Sequence, residues 1–322
     1  MYSTLNASKL YIMQVFYDIE QIPLLTKPIV TVGIFDGVHC GHQEIFRRMK
    51  TMATEPEQKT VAITFEPHPR IALGHNCEDI KIINVLEKKI ERIAMSGIDY
   101  LLIMNFTPEF AALSPEDFVR EYLSRKLQIG TLVIGYDHHF GKGRSGDYHE
   151  MERLGMQYGF SVVEVGEVCI EGEVVSSTTI REALKKGEIE IANKYLGYNY
   201  NITGTVVHGN MLGRKLGFPT ANIAMPDRYK LITANGVYAC YVLVDGTWYE
   251  GMGNIGFRPT LENSPLTIEV HIFNFNEDIY EKTITIAFVQ RIRDEIKFSN
   301  FEQLQQQLTQ DKMKIQSIIK DK

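Results

Sequence analysis

Apolar and polar positions follow two rhythms along this chain. In its first half, continuous apolar runs alternate with segments of helical spacing. The runs "IVTVGIF" (29–35), "TVAITFEPHP" (60–69), "DYLLIMNF" (99–106), "GTLVIGY" (130–136) and "FSVVEVGEV" (160–168) read as buried strands. Between them, "GHQEIFRRMKTMA" (41–53), "NVLEKKIERIAMSG" (84–97), "SPEDFVREYLSRKL" (114–127) and "GDYHEMERLGMQYG" (146–159) read as helices. Ser114 is placed to cap the third of these, with Pro115 at its first position. Strands that are apolar on both sides and separated by helices predict a parallel sheet covered on both faces.

The rhythm then changes. Residues 177–197 are helical with a break near Gly187. After Asn199 come short strands and turns: "ITGTVVHG", "GVYACYVLVDG", "TWYEGMGNIG", "LTIEVHIFNF" and "KTITIAFVQRI". Antiparallel strands at this spacing, punctuated by Asp245-Gly246, predict a small closed barrel. An amphipathic helix over 298–319 ends the pattern. The expected architecture is α/β followed by all-β, with domains 1–186 and 187–322.

Composition narrows the class. The 322 residues suffice for two domains with sizeable cores. A formal charge of −6 argues against a polyanion-binding surface, so no nucleic-acid partner is expected. Four scattered cysteines without a CxxC fit reduced thiols. No apolar run reaches the roughly 20 residues that span a bilayer, and the N-terminus lacks the form of a signal peptide. The expectation is a cytoplasmic protein with no membrane partner. Met13 is an alternative start, and the oligomeric state, a homo-oligomer included, stays open.

Chemistry concentrates first at "VTVGIFDGVHCGH" (30–42), where a strand gives way to a helix. Ligands of open parallel sheets bind beyond the carboxyl ends of strands. The strand ending at Phe35 delivers Asp36 to His42 there, and Gly33, Gly37 and Gly41 let a phosphate approach the backbone. The helix N-terminus favours an anion, and His39 and His42 can donate to phosphate oxygens as charge builds. No Walker loop or GxGxxG fingerprint is present. Metal binding through the histidines and Cys40, and plain helix capping, are the competing readings. Further polar segments fall at predicted strand ends: "FEPHPR" (65–70), "GYDHHFGKGRSGD" (135–147) and "SSTTIREAL" (176–184). In the last, Ser177 and Thr178 are hydroxyl donors at a helix start, or a plain N-cap.

A second concentration is "GTVVHGNMLGRKLGFPTANI" (204–223). Gly209, Gly213 and Gly217 suit a flap over phosphates, Arg214 and Lys215 supply charge, and Pro219 fixes the entry to Thr220 and Asn222. Two residues apart in an extended segment, Thr220 and Asn222 face the same way. Together with phosphates and waters they can help hold Mg²⁺. A glycine-rich hairpin with Thr and Asn as turn formers is the alternative. In "TIEVHIFNF", Glu269 lies on the opposite side from Ile268 and Val270, towards a site or towards solvent.

These motifs resemble a known family. "GIFDGVHCGH", "FEPHP", "GYDHHFG" and "SSTTIREAL" are similar to the adenylyltransferase module of bacterial bifunctional riboflavin kinase/FAD synthetases. The flap with "PTAN", "GMGNIGFRPT" and "EVHIFNF" resembles their riboflavin kinase module, a small β-barrel. The resemblance covers roughly Val15 to Ile319. It implies a Rossmann-like nucleotidylyltransferase domain and two transfers: riboflavin and ATP giving FMN and ADP, then FMN and ATP giving FAD and pyrophosphate. It also implies ATP-phosphate contacts for His39 and His42, and nucleotide or pyrophosphate contacts for Ser177, Thr178 and Arg181. Asp137 would stand near flavin and nucleotide, Thr220 and Asn222 would bind Mg–nucleotide, and Glu269 would be the general base. FMN and FAD are then products, and no tightly bound organic cofactor is required. Two positions depart from the family: Val174 where a basic residue is usual, with Lys142 or Arg144 as substitutes, and Glu281 where glycine is usual. Against this stand an adenylyltransferase of another acceptor with a non-catalytic flavin-binding barrel, and an oligonucleotide-binding barrel.

Overall fold

The computed structural model describes residues 13–74, 80–136, 147–209, 212–224, 227–257 and 266–320. It divides into two compact units, Tyr2–Ser177 and Thr178–Lys322.

The first unit is built on strands β1 (Gln14–Phe16), β2 (Ile29–Val32), β3 (Thr60–Glu66), β4 (Tyr100–Asn105), β5 (Thr131–Gly135) and β6 (Ser161–Val165). They form one six-stranded sheet in the order β1-β4-β3-β2-β5-β6. Every pairing is parallel. Alternate residues of each strand serve opposite cores. On one face Val61, Ile63, Leu102 and Met104 pack with Phe118 and Leu123. On the other, Ala62, Leu101 and Ile103 pack with Phe46 and Ile93. Both faces are covered, as the continuous apolar runs require. From β2 the chain adds β3 and β4 on one side and later β5 on the other, so the topological switch point lies between β2 and β5.

The helices follow the sequence pattern closely: Cys40–Met52, Leu86–Met95 and Tyr148–Tyr158. Ser114 caps the helix Pro115–Phe118 by accepting from the Asp117 N–H. That helix runs on as a π-helical segment, Val119–Lys126, closed by the Leu127 N–H on the Tyr122 carbonyl. A small hairpin, β7 (Cys169–Ile170) and β8 (Glu173–Val174), holds the departing Val174 opposite Cys169.

The second unit opens with the helices Ser177–Lys186, counted from its second residue, and Ile189–Leu196. Pattern reading draws the border after residue 186, whereas the compact units part at Ser177. The physical reason lies in the first helix. Its Leu184 carbonyl accepts from the Thr233 hydroxyl and the Ala234 N–H, which ties it to the barrel's own chain.

Six strands close the barrel: β9 (Asn201–Val207), β10 (Ala221–Ile223), β11 (Gly236–Val244), β12 (Thr247–Phe257), β13 (Leu266–Ile272) and β14 (Thr283–Arg293). They are joined in the order β10-β13-β12-β11-β14-β9, and β10 pairs with β9 to close the ring. Asp245 (φ 47°) and Gly246 (φ 82°) make the tight hairpin between β11 and β12. The helix Phe301–Lys320 lays Ile315 and Ile319 against Val237, Ala239 and Phe273. Arg293 holds that helix through an ion pair at 2.7 Å with the buried Asp311. Among the described residues no helix is long and apolar enough to cross a membrane.

Candidate active sites

The N-terminal site grows from the loop after β2, at the switch point. Phe35 (φ 50°), Gly37 (φ 85°) and Val38 (φ 41°) all occupy the left-handed region. For a β-branched residue such as Val38 this is a costly conformation, on the order of 1–3 kcal/mol, that persists only where the surroundings enforce it. Asp36, 3% exposed, supplies part of that enforcement. Its carboxylate accepts from the Ile83 N–H at 2.9 Å and the Asn84 N–H at 3.1 Å. Its carbonyl accepts from the Ser177 hydroxyl at 2.9 Å. Gly33 is required by close packing, because a Cβ there would lie 2.7 Å from the Phe35 ring.

His39 stands at the N-cap of Cys40–Met52 but its side chain makes no capping bond. Its ring instead stacks on His42, with centroids 3.6 Å apart and planes 25° apart. Phe35 meets His42 edge-on at 5.3 Å. The Nδ1 of His42 is sealed from solvent with no hydrogen-bond partner among the described residues. Burial, then the His39 ring, then the Lys89 ammonium hold His42 well below the usual imidazole range. At neutral pH it is therefore a neutral imidazole able to donate one N–H, in the first turn of the helix Cys40–Met52.

Thr178 and Arg181 follow Ser177 in the same helix, beyond the division between the units. Asp137, His138, His139, Lys142 and Arg144 lie outside the described residues. Among the described residues no three His, Cys, Asp or Glu side chains gather as metal ligands. Sequence reasoning passed over Lys89, which is buried on Leu86–Met95. Its signal was a lysine on the apolar stripe of Leu86, Ile90 and Ile93.

The C-terminal site is assembled by β-register. Glu269 on β13 stands directly opposite Asn222 on β10 and Asn254 on β12. Directly opposed residues share a face, so the carboxylate is flanked by two amides. Ile268 and Val270 point into the core on the other face. The Thr220 hydroxyl donates to Glu269 Oε2 at 3.1 Å. Thr220, Asn222 and Glu269 therefore converge. Asn254 was the member that sequence reading missed; only knowledge of strand register brings it in.

Around them the backbone is packed closely enough to demand glycine. A Cβ at Gly209 would fall 2.2 Å from Asn222 Nδ2, and one at Gly213 would fall 2.2 Å from the Phe218 carbonyl. Gly217 turns the chain at φ 81°. The Pro219 carbonyl lies 2.8 Å from His271 Nδ1, and burial lowers the pKa of that imidazole. Arg214, Pro219 and Thr220 line a cavity of about 560 Å³ together with Phe275, Asn276 and Tyr280. That volume suits a small organic ligand. The Tyr280 ring stacks on His208 at 3.9 Å. Glu281 keeps the left-handed turn, at φ 64°, that a glycine would adopt without strain. Neutral oxygens on Thr220 and Asn222 beside a carboxylate, with glycines nearby, are a donor set that suits a hard divalent cation also taking phosphate oxygens.

Comparison with known proteins agrees with this division. Residues 22–179 match the family model for FAD synthetase, and residues 196–319 match that for riboflavin kinase. The bifunctional riboflavin kinase/FMN adenylyltransferase of Listeria monocytogenes is 38% identical over 284 residues, 88% of this chain and 90% of that protein. Its counterpart from Escherichia coli is 34% identical over 286 residues, with the same 88% and 90% coverage. A crystal structure described as a macrolide-efflux protein from Streptococcus pneumoniae superposes with a TM-score of 0.85 at 32% identity, covering 94% of this chain and 98% of that one.

Proposed function

The chain belongs to the bifunctional riboflavin kinase/FMN adenylyltransferase family, and from that premise we propose which residues carry each of its two transfers. It is an enzyme that phosphorylates riboflavin to FMN and adenylylates FMN to FAD, with ATP as donor. The reading assigns the kinase to the barrel unit and the adenylyl transfer to the parallel-sheet unit.

In the barrel, Glu269 takes the proton of riboflavin's terminal ribityl hydroxyl as that oxygen attacks the γ-phosphorus of ATP, releasing ADP. The observation that carries this is the placement of Glu269 between two asparagines and within hydrogen-bond reach of Thr220. Asn222 and Asn254 fix the carboxylate's surroundings, and Arg214 with the Gly209–Gly217 segment would close over the phosphates. Enzymes of this kind need a divalent metal. We assign Mg²⁺, held by Thr220, Asn222 and phosphate oxygens; bound there, it would neutralise phosphate charge.

In the parallel-sheet unit the attacking group is the phosphate of FMN, already an anion, and pyrophosphate leaves the α-phosphorus of ATP. No protein base is needed. What is needed is hydrogen-bond donors, and His39, His42 and the N–H groups of the Cys40–Met52 helix supply them. Gly33, Phe35, Asp36 and Gly37 shape the loop that presents them, and Ser177 pins it. Arg181, Thr178 and Asp137 complete the nucleotide and flavin contacts in this reading.

The assignment places the enzyme in the cytoplasm, without nucleic-acid or membrane partners. The metal is tested by chelation: activity lost with a chelator should return with Mg²⁺, and return with another divalent ion alone contradicts the choice of metal. Sedimentation at working concentration distinguishes a monomer from a homo-oligomer.

A further inference from the structure

Lys89 is 3% exposed, yet it sits on a helix whose other inward positions are apolar. Lysine is almost never buried to this degree unless paired. Among the described residues its ammonium forms no hydrogen bond and no ion pair. It feels Asp36 and Glu66 only as attractions at longer range, and burial outweighs them in lowering its pKa. The Asp36 carboxylate is already engaged by the Ile83 and Asn84 N–H groups, which lead directly into the helix of Lys89. The same bonds fix the helix to the loop that carries His39 and His42. Lys89 in turn acts on His42 through its charge.

We propose that Lys89 is a phosphate-binding residue of the adenylyl-transfer site, its ammonium receiving an anionic oxygen of a phosphate group brought in by ATP or by FMN. This rests on reading the His39–His42 junction as that site. The two imidazoles there offer donors, and the one on His42 is held neutral, so it contributes direction without formal charge. A triphosphate and a phosphate monoester brought together need formal charge as well. Val174 does not supply it, and Lys89 is the buried cation that the loop's own anchoring delivers. A lysine suits the task, as a compact point charge on a flexible stem.

The competing account makes Lys89 a counter-ion for Asp36 and Glu66. FAD formation from FMN, ATP and Mg²⁺ separates the two in the full chain, with riboflavin phosphorylation in the same samples reporting the amount of active protein. Lys89→Met should lower kcat/KM for FAD formation about 10- to 100-fold, the loss of one charge-assisted hydrogen bond. The double variant Lys89→Met/Glu66→Gln removes both charges, so it keeps the comparison open if the single variant folds poorly. Under the proposal it stays equally low. A rise in KM for ATP alone assigns the ammonium to ATP, and a rise for FMN alone assigns it to the flavin phosphate. Unchanged kinetics in Lys89→Met, or recovery in the double variant, overturns the proposal and leaves a counter-ion. Full FAD formation by His42→Ala overturns instead the reading of the histidine site on which it stands.

Discussion

The parallel-sheet unit presents a junction in which two imidazoles stack 3.6 Å apart on a strained loop, while the Asp36 carboxylate is taken up by the Ile83 and Asn84 N–H groups. The barrel presents the reverse: a carboxylate, Glu269, between two asparagines and hydrogen-bonded to Thr220, which lines a cavity of about 560 Å³. The difference follows the nucleophile. A hydroxyl must lose a proton as it attacks, so its site needs a base. A phosphate arrives ionised, so its site needs donors and charge. Two phosphorus transfers in one chain thus call for different side chains, and the roles proposed for Glu269, His39 and His42 give each unit the set its nucleophile requires.

Substitutions that separate the two chemistries test this contrast most strongly. Glu269→Gln keeps size and hydrogen bonding but cannot accept the proton. FMN formation should fall about 10²- to 10⁴-fold, with conversion of supplied FMN unchanged. His42→Ala removes a donor and should lower FAD formation about 10²- to 10³-fold, with the kinase intact. Crossed effects, in which either change impairs both reactions equally, would break the contrast.

Gly209→Ala sharpens the picture of the barrel site, since its Cβ would meet Asn222 at 2.2 Å. Overpacking of this kind costs about 1–3 kcal/mol. We expect a higher KM for ATP in the kinase reaction, measured by initial rates, and no change in adenylyl transfer.

The pH dependence of stability sharpens the other side. His42 stays neutral in the fold while the unfolded chain takes up a proton near pH 6.5. Below that pH the unfolded state binds more protons, so stability is full above it and falls as pH drops towards the folded value. His271, also lowered by burial, adds to the same trend. His42→Gln should flatten the slope between pH 6.5 and about 5 in thermal melts. The smallest effect is Glu281→Gly. Relieving a left-handed glutamate should stabilise the protein by about 0.5–1 kcal/mol, leaving both activities unchanged.

Much of this was legible in residue order. Continuous apolar runs gave both faces of the sheet, and short alternating strands gave the barrel. What escaped was short or depended on register. β1 and β10 have three residues each, too few for a period to declare itself. Asn254 joins Glu269 only through the pairing of β12 with β13. Lys89 was visible as a charge on an apolar stripe, but a stripe alone does not say what the charge faces. Asp36 reads as a candidate phosphate contact, but that its carboxylate holds the Ile83 and Asn84 N–H groups is a long-range bond that no local pattern announces.

The most direct test is product chromatography of the full chain and its Glu269→Gln and His42→Ala variants, each given riboflavin or FMN with ATP and Mg²⁺. The account predicts that Glu269→Gln makes FAD from FMN but little of either product from riboflavin, while His42→Ala stops at FMN. FMN formation at the wild-type rate by Glu269→Gln, or FAD formation at the wild-type rate by His42→Ala, would contradict it.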